Sequence, residues 1–410
     1  MVGIRGQFPS LAQTCNGHAA IFLDGPGGTQ VPQRVIDAIS QYLSRDNANS
    51  GGNYETARRT DQMLLDARHA MADLLGCDWD EIAFGMNMTS LTFAMSRAMG
   101  REMQAGDEIV LTRLDHDANF APWKALEERG VVIRVAEILE ADCTLDLADL
   151  ASKINARTKV VAVGLASNAV GTINDVAEIT RLAHQVGAVS YVDAVHYAPH
   201  GPIDVRAMDC DFLVCSAYKF FGPHMGVMYG KREHLRRLSP YKVRPATDDS
   251  PQRWEVGTLN HECIAGITAC VEYLAEIGRG IDPAATRRQA LLAAMREIQR
   301  YERGLVEQMI GGLLRIPGLS FYGIRDAERF GHRCPTVAVR IAGHTPGELA
   351  ERLNERGIFT WDGNYYAINL SERLGVEATG GFLRIGLAHY NTAGEVETLL
   401  RALGEIVGRD

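Results

Sequence analysis

The sequence predicts an α/β protein in which helices cover both faces of a mainly parallel sheet, followed by a smaller α+β domain. Between residues 108 and 230, short apolar runs alternate with segments of helical periodicity, which is the pattern of a buried parallel sheet. From about residue 262 the pattern changes to long helices, followed by short strands among helices. A chain of 410 residues is long enough for both domains.

The elements of the larger domain follow in chain order from these patterns. Helical periodicity predicts three helices before the alternation begins, at about 31–44, 56–76 and 90–104. Apolar runs then predict strands at 108–112, 131–135, 159–166, 188–194, 211–217 and 226–230. The stretches between them predict helices near 119–129, 146–154 and 175–186.

The smaller domain begins with two long predicted helices, at 262–279 and 284–315. Short strands follow near 319–322, 335–342 and 382–387. We therefore expect a large domain at 15–260 and a small domain at 261–410, with the N-terminal segment 1–30 packing against the small one. No internal repeat and no low-complexity linker marks the boundary.

Composition excludes several classes of function. The formal net charge of -9 and the lack of a Lys/Arg-rich run argue against nucleic acid as a partner. Residues 1–30 lack the pattern of a signal peptide and no apolar run is long enough for a membrane span, so we expect a cytoplasmic protein. The eight cysteines show no C-x-x-C and no scaffold spacing, which predicts reduced core residues.

Polar side chains that carry chemistry follow four of the apolar runs. In an open parallel sheet, ligands bind at the carboxyl ends of the strands, so these side chains are expected to converge. Each alone has an ordinary explanation as a core histidine, a turn asparagine or a helix cap, but capping does not explain their convergence. The residues are His116, Asn168, Asp193, His196, Ser216 and Lys219.

Lys219 lies in the stretch SAYKFFGPHMG, between a buried run and a glycine-rich turn. A solvated surface lysine is the ordinary explanation of such a position, whereas a desolvated amine suits Schiff-base chemistry. Asp193 ends another buried run, and a carboxylate there could keep a pyridine nitrogen protonated. This pair is the arrangement that pyridoxal phosphate requires.

Taken together, the motifs from FLDGPGGTQVP at 22–32 to FLRIGLAHYNT at 382–392 resemble the class V aminotransferase family, and most closely its cysteine desulfurase and selenocysteine lyase branch. The resemblance covers nearly the whole chain. It implies the fold of the fold-type I transferases, with a mainly parallel sheet of seven strands. It also implies pyridoxal 5′-phosphate as cofactor, an amino-acid substrate, and a homodimer with shared active sites.

The resemblance implies roles for the candidate catalytic residues. Lys219 resembles the Schiff-base lysine, Asp193 the partner of the pyridinium nitrogen, and His116 the imidazole that stacks on the cofactor ring. His196 falls where the desulfurases usually carry a glutamine that hydrogen-bonds the cofactor's phenolic oxygen, and an imidazole can donate that bond too. Asn168 is expected on the phenolic side of the cofactor or against the substrate.

The phosphate is implied to bind at NMTS, 87–90, which is predicted to begin a helix with free N–H groups. Ser216 and Thr89 match phosphate contacts of the family. Met88 leaves one threonine where the family often has a pair, with Ser90 as a further hydroxyl. Thr258, in RWEVGTLN, matches a threonine that reaches the phosphate from the partner subunit.

Substrate recognition is assigned by the same resemblance to Arg384, which matches the arginine that binds the α-carboxylate. An ordinary strand arginine is the alternative. Trp361, Tyr365 and Tyr366 predict a pocket with aromatic walls and hydroxyl donors. A metal is not expected, because Pro199 breaks the helix on which His196 and a histidine four residues later would be displayed.

The chain departs from the desulfurase pattern at two places. Tyr218 precedes the lysine, where desulfurases usually have a histidine. The loop GIFTWDGNYYAINL, 357–370, lacks the cysteine that attacks the substrate sulfur in desulfurases, and no cysteine follows Cys334. Cys334 precedes Pro335 at the start of a predicted strand, so we expect it in the core.

These features predict a pyridoxal-phosphate-dependent lyase that cleaves the C–S bond of cysteine or an S-substituted cysteine by β-elimination. Lys219, once released, would be the general base. The alternatives are a true cysteine desulfurase or selenocysteine lyase with an unidentified sulfur acceptor, and an epimerase or aminotransferase of the same class. A scaffold that only holds the cofactor is a further alternative, but it would not need Arg384.

Overall fold

A seven-stranded sheet is the centre of the first 260 residues. The computed structural model describes residues 3–408; residues 1, 2, 409 and 410, which belong to the predicted N-terminal segment and small domain, lie outside the described residues. The spatial order of the strands is Ile82–Gly85, Gly226–Gly230, Phe212–Ser216, Val189–Asp193, Thr158–Gly164, Glu108–Thr112 and Val132–Ala136. Gly226–Gly230 runs antiparallel to its neighbours, and the other strands are parallel to each other. The predicted mainly parallel sheet is confirmed.

The central strands are buried on both faces, which explains their nearly continuous apolar sequences. Alternate side chains of one strand point to opposite faces. Val161 and Val163 therefore pack into one hydrophobic core, while Val160 and Ala162 pack into a second core on the other face. The six predicted strands match observed strands to within two residues, because runs this short and rich in β-branched residues favour strands over helices.

Helices flank the sheet and carry their own start signals. Asn87, Asp146 and Asp175 each accept a backbone N–H at the first turn of a helix. The α-helices of this part are Gln33–Gln41, Glu55–Leu75, Met88–Gly100, Ala121–Lys124, Leu147–Lys153, Val176–Gln185, Val205–Met208 and Arg232–Arg237.

Three details of this region differ from the sequence predictions, one of them being that the short helices Val205–Met208 and Arg232–Arg237 match no predicted element. The helix expected at 119–129 is instead a 3₁₀ turn, the short helix Ala121–Lys124 and a second 3₁₀ segment, Ala125–Arg129. Pro122 has no N–H and fits only the first turn of a helix, so a helix cannot continue through it from residue 119. The strand Ile82–Gly85 was not predicted, because its apolar run is only IAF.

The C-terminal part contains a four-stranded antiparallel sheet. Its strands lie in the order Leu319–Tyr322, Thr336–Ile341, Phe382–Gly386 and Trp361–Gly363. The helices around it are His261–Arg279, Arg287–Leu313, Pro346–Asn354, Ile368–Arg373 and Ala393–Val407. The second of these begins with a capping box formed by Thr286 and Gln289.

The N-terminal segment contacts the C-terminal part. Ile21–Phe22 pairs in parallel with Ile358–Phe359, and the side-chain amide of Asn391 donates to the carbonyl of Phe22 at 3.0 Å. We propose that the boundary between the large domain, 15–260, and the small domain, 261–410, lies near residue 260. Within residues 3–408, the structure has no helix whose length and apolar character would let it cross a bilayer.

Candidate active site

A cavity of about 610 Å³ lies at the carboxyl ends of the sheet strands, where the C-terminal part faces them. Of the residues expected to bind the cofactor or substrate, all except Ser90 and Thr258 line it. Those that line it are Thr89, His116, Asn168, Asp193, His196, Ser216, Lys219, Trp361, Tyr365, Tyr366 and Arg384. The volume suits a cofactor together with a small substrate.

Lys219 and Asp193 follow neighbouring parallel strands. Asp193 lies level with Val214 in the sheet, and Lys219 ends the 3₁₀ turn that follows Ser216. Burial, and after it the charge of Arg384, lowers the pKa of Lys219 to about 7. Burial raises the pKa of Asp193 to about 6. The N–H of Val195, which donates to Oδ1 of Asp193 at 2.9 Å, partly opposes this rise. The amine and the carboxyl group therefore both titrate near neutral pH.

His116 is a neutral imidazole with a defined tautomer. Its Nδ1 accepts the backbone N–H of Ala118 at 2.9 Å, so the neutral ring carries its proton on Nε2. Burial, and after it the charges of Lys219 and Arg384, lower the pKa of His116 to about 4. The ring of Tyr366 stacks on it, with the ring centroids 5.4 Å apart and an interplanar angle of 24°.

Three buried polar atoms of the cavity residues have no hydrogen-bond partner within residues 3–408. They are Nε2 of His196, Oδ1 of Asn168 and Nε of Arg384. A buried polar group without a partner is costly, and a bound molecule is one way of satisfying it. The arrangement therefore favours a polar ligand in this cavity.

Arg384 projects from the strand Phe382–Gly386 of the C-terminal part. Its Nη1 donates to the carbonyl of Asn168 at 2.9 Å, and its Cζ lies 4.1 Å from the ring centroid of Tyr365. Burial lowers the pKa of Arg384 to about 10, which still leaves the guanidinium charged at neutral pH. A buried cation fixed at the cavity wall is suited to an anionic group such as a carboxylate.

The helix Met88–Gly100 directs its N-terminus to the cavity. Asn87 caps it by accepting the N–H of Ser90 at 2.8 Å, and the hydroxyl of Ser216 accepts the N–H of Met88 at 3.0 Å. The Ser90 hydroxyl donates to Asn87 at 2.9 Å instead of lining the cavity. Gly226 allows this approach, because a Cβ there would lie 2.4 Å from the Asn87 carbonyl carbon.

Thr258 is exposed and does not line the cavity of its own chain. Its expected contact with a phosphate therefore requires a second chain. His200 is the histidine four residues after His196. Its Nδ1 lies 2.9 Å from Oε2 of Glu302, and both side chains are buried. Among residues 3–408, no group of three or more His, Cys, Asp or Glu residues is arranged to hold a metal.

Two carboxyl groups near the site were missed in the sequence. Burial raises the pKa of Asp115 to about 7, against hydrogen bonds from Thr112 and Asn119. Burial also raises the pKa of Asp24, which faces the charges of Arg384 and Lys219. The sequence did contain a pattern that could have identified them, because each aspartate lies within three residues of the end of an apolar run.

The cavity contains no thiol among its lining residues, all of which lie within the described chain. Cys334 is buried in the largest hydrophobic core, as expected, and burial raises the pKa of its thiol. Trp361 lies at the mouth of the cavity, where a Cβ on Gly27 would be 3.0 Å from its ring. The ring of Tyr218 stacks on His224 at 4.7 Å.

Comparison with known proteins places this geometry in a family. The model of the family described as aminotransferase class-V matches residues 21–399. A probable cysteine desulfurase of Mycolicibacterium paratuberculosis is 32% identical, over 99% of this chain and 58% of the relative's length. A cysteine desulfurase of Pectobacterium carotovorum is also 32% identical, over 98% of this chain and 97% of the relative.

Solved structures agree with the sequence relatives. The apo cysteine desulfurase of Thermococcus onnurineus superimposes with a TM-score of 0.88 at 26% identity, covering 99% of this chain and 98% of that one. The cysteine desulfurase CsdA of Escherichia coli gives a TM-score of 0.84 at 27% identity, with the same coverage. The expected fold-type I architecture is confirmed. The chain belongs to the class V aminotransferase family and is a pyridoxal-phosphate-dependent enzyme.

Proposed function

We propose that this enzyme cleaves the C–S bond of cysteine or an S-substituted cysteine by β-elimination. One observation carries the proposal: Lys219, Asp193 and Arg384 line one cavity, and no thiol of residues 3–408 lines it with them. An elimination needs a base and a group that binds the substrate carboxylate, both of which are present. It does not need a nucleophilic sulfur, which a desulfurase uses to attack the substrate.

The residues of the cavity fit pyridoxal phosphate. Lys219 would hold it covalently, Asp193 would face its pyridine nitrogen, and His116 would pack on its ring. The unpartnered Nε2 of His196 would donate to its phenolic oxygen, and Asn168, whose Oδ1 also lacks a partner among residues 3–408, would lie on that side or against the substrate. When bound, the cofactor supplies an electron sink that makes the Cα–H of an amino acid acidic.

The phosphate would lie at the N-terminus of the helix Met88–Gly100, where free N–H groups and the helix dipole favour an anion. Thr89 and Ser216 line the cavity there. Ser90 would contribute through Asn87, because its hydroxyl is bonded to that cap.

Lys219 is the group proposed to move the proton. Its lowered pKa of about 7 makes the released amine a base that matches neutral pH. Arg384 would hold the substrate carboxylate, which fixes the Cα–H bond relative to the amine. Tyr365, Tyr366 and Trp361 would enclose the substrate side chain and limit the access of water.

The overall reaction balances without a protein thiol. Lys219 takes the Cα proton, the Cβ–S bond breaks, and sulfur keeps the bonding electron pair and leaves as a thiolate that is protonated. The three-carbon fragment takes up one water and ends as pyruvate and ammonia. The thiol fragment carries whatever group was attached to the sulfur.

We also propose that the enzyme acts as a homodimer in which Thr258 reaches the partner's phosphate site. Support comes from two exposed apolar side chains. Met86 directly precedes the proposed phosphate-binding segment 87–90, Val256 lies two residues before Thr258, and they are 63% and 61% exposed in the single chain. The segments that carry these two side chains adjoin, since the Phe84 N–H donates to the side chain of Glu255 at 2.9 Å, and contiguous exposed apolar surface often marks a protein–protein contact. All eight cysteines are unpaired, which suits the reducing cytoplasm.

A true cysteine desulfurase is the second candidate, since several relatives at 30–32% identity are named cysteine desulfurases. It would require a sulfur acceptor outside this cavity and would release alanine. A selenocysteine lyase would also release alanine, with selenium in place of sulfur. An epimerase or aminotransferase would leave the C–S bond intact.

Product analysis tests the proposal. The enzyme loaded with cofactor would be incubated with cysteine, selenocysteine, cystine and an S-alkyl cysteine, and pyruvate, ammonia and alanine would be measured. We expect equal amounts of pyruvate and ammonia, and neither product with the Lys219→Ala control. Alanine as the main product would contradict the elimination and support the desulfurase.

A further inference from the structure

Tyr365 and Tyr366 form a strained dipeptide at the cavity mouth, called here the tyrosine bridge. Both have left-handed backbones, with φ of +55° and +61°. Bulky residues avoid this region, because the side chain crowds its own backbone. Such strain persists only where surrounding contacts hold it, and it often marks a functional site. The contacts of the bridge therefore need an explanation.

Tyr366 attaches the bridge to the segment after the strand Glu108–Thr112. The backbone N–H of Asp117 donates to the carbonyl of Tyr366 at 2.7 Å. The Tyr366 ring stacks on His116, although its side chain is otherwise exposed. The imidazole of His116 is therefore contacted both at Nδ1, by the N–H of Ala118, and on one face, by the ring of Tyr366.

Tyr365 attaches the bridge to the opposite wall. Its carbonyl accepts the side-chain amide of Asn168 at 2.9 Å, and its hydroxyl donates to the carbonyl of Phe382. Its ring supports the guanidinium of Arg384, whose Nη1 is in turn held by the Asn168 carbonyl. Arg384 is therefore fixed from two sides by groups that meet at Tyr365.

We propose that the tyrosine bridge is a positioning device, in which Tyr366 orients His116 and Tyr365 orients Arg384. The inference deepens the proposed function, on which it rests for the roles of His116 and Arg384. The two left-handed φ values fall on the two residues whose side chains make these contacts.

Variants of Tyr366 separate ring stacking from backbone strain. Tyr366→Phe keeps the ring and should retain more cofactor and more visible dichroism than Tyr366→Leu. Tyr366→Leu and Tyr366→Gly both lose the stacked ring, but glycine relieves the left-handed backbone. If stacking is the role, both should weaken cofactor retention by about two- to tenfold and reduce the visible circular dichroism of the bound cofactor. Recovery in Tyr366→Gly alone would overturn the proposal.

A histidine titration gives a second readout for Tyr366 that is independent of activity. The loaded enzyme would be labelled with ¹³C at histidine Cε1, and His116 followed by NMR. The groups around it are Lys219 and Arg384 on other elements and the carboxyls of Asp115 and Asp117 on its own. Loss of the covering ring should raise the pKa of His116 towards its ordinary value of about 6.5. An unchanged titration in Tyr366→Leu would contradict the proposal.

Variants of Tyr365 test the other half by separating KM from kcat. Tyr365→Leu removes the ring under Arg384 and should raise KM for the amino acid by about two- to tenfold, with a smaller change in kcat. Tyr365→Phe keeps the ring and should retain a KM close to that of the wild type. Equal KM values for Tyr365→Leu and the wild type would overturn this half.

A matched control and a reference variant make the failures distinguishable. Trp79 packs on His69 at 5.9 Å away from the cavity, so Trp79→Leu removes a comparable histidine contact and should change none of these readouts. His116→Ala is the reference. If His116→Ala alters the dichroism while Tyr366→Leu does not, the proposed role of the tyrosine bridge is overturned and the proposed function stands. If His116→Ala alters nothing, the role of His116 in the proposed function fails.

Discussion

The guanidinium of Arg384 lies close enough to the amine of Lys219 to lower the pKa of that amine, adding to the larger effect of burial. The two cations approach the same cavity from opposite parts of the chain. Within residues 3–408, the amine of Lys219 donates to the carbonyl of Pro26, and the charge of Asp193 opposes the effect of Arg384 on its pKa. The protonation of Lys219 near neutral pH therefore depends on its burial and on Arg384.

Capture of the cofactor by the apoenzyme should depend on pH through Lys219. Its neutral form is the nucleophile, and a pKa of about 7 gives on the order of a thousandfold more neutral amine at pH 7 than an ordinary lysine. The rate should rise between pH 6 and 8 and then level off, as measured by stopped-flow absorbance. A rate that keeps rising towards pH 10 would show that the pKa is not lowered.

Replacement of Lys219 by alanine should abolish covalent attachment of the cofactor. Borohydride reduction of the wild type, followed by peptide mapping, should place the label on Lys219. Lys159→Ala is the control, because Lys159 is half exposed beside Asp107 and away from the cavity. A label on Lys153, Lys159 or any other lysine would refute the assignment.

Asp193→Asn should reduce turnover by roughly tenfold or more while leaving the lysine able to carry the cofactor. The amide cannot hold a pyridinium proton by charge, and a hydrogen bond to a charged group contributes about 1.5–3 kcal/mol. Steady-state rates and the absorption spectrum of the loaded variant give the measurement. Asp248→Asn, at an exposed carboxylate, is the control. Undiminished turnover in Asp193→Asn is the contrary outcome.

Arg384→Lys should raise KM for the amino acid by roughly tenfold, even though the charge is kept. An ammonium cannot pair with a carboxylate through two parallel N–H groups, and it would not stack on Tyr365 in the same way. Initial rates over a substrate series measure the effect. The same KM for lysine and arginine at this position would show that the carboxylate binds elsewhere.

The cysteines should be dispensable for catalysis. Cys334→Ser, and serine at the partly exposed Cys15, Cys77 and Cys263, should each retain pyruvate formation from an S-substituted cysteine, because none of the thiols in the described part of the chain lines the cavity. Thermal unfolding of each variant distinguishes a loss of folding from a loss of chemistry. Alanine as product, abolished by one particular substitution, would identify the sulfur acceptor of a desulfurase.

Much of the fold could be predicted because the central strands are buried on both faces and read as apolar runs. The run EIVLT became a strand with the same bounds, as did GVMYG. Helix starts were visible where the sequence supplied a cap, as at Asn87. Pro122 divided the predicted helix 119–129, because local periodicity does not weigh the missing N–H of proline against the apolar pattern.

The site was predictable to the extent that it follows the strand ends. Asp193 and Lys219 were found in that way, and Arg384 through the family resemblance. Asp24 and Asp115 were missed because their importance depends on burial, which joins parts of the chain distant in sequence. The stacking of Tyr366 on His116 could not be predicted either, since it depends on a left-handed backbone that tyrosine rarely adopts.

The burial of the cysteine thiols affects how readily the enzyme would react with the thiols that it releases. Five of the eight cysteines are buried, and burial raises the pKa of each of these thiols, which keeps them in the unreactive protonated form. An enzyme that releases thiols or persulfides works in a solution of reagents that exchange with exposed thiolates. The buried cysteines would therefore resist mixed-disulfide formation over many turnovers.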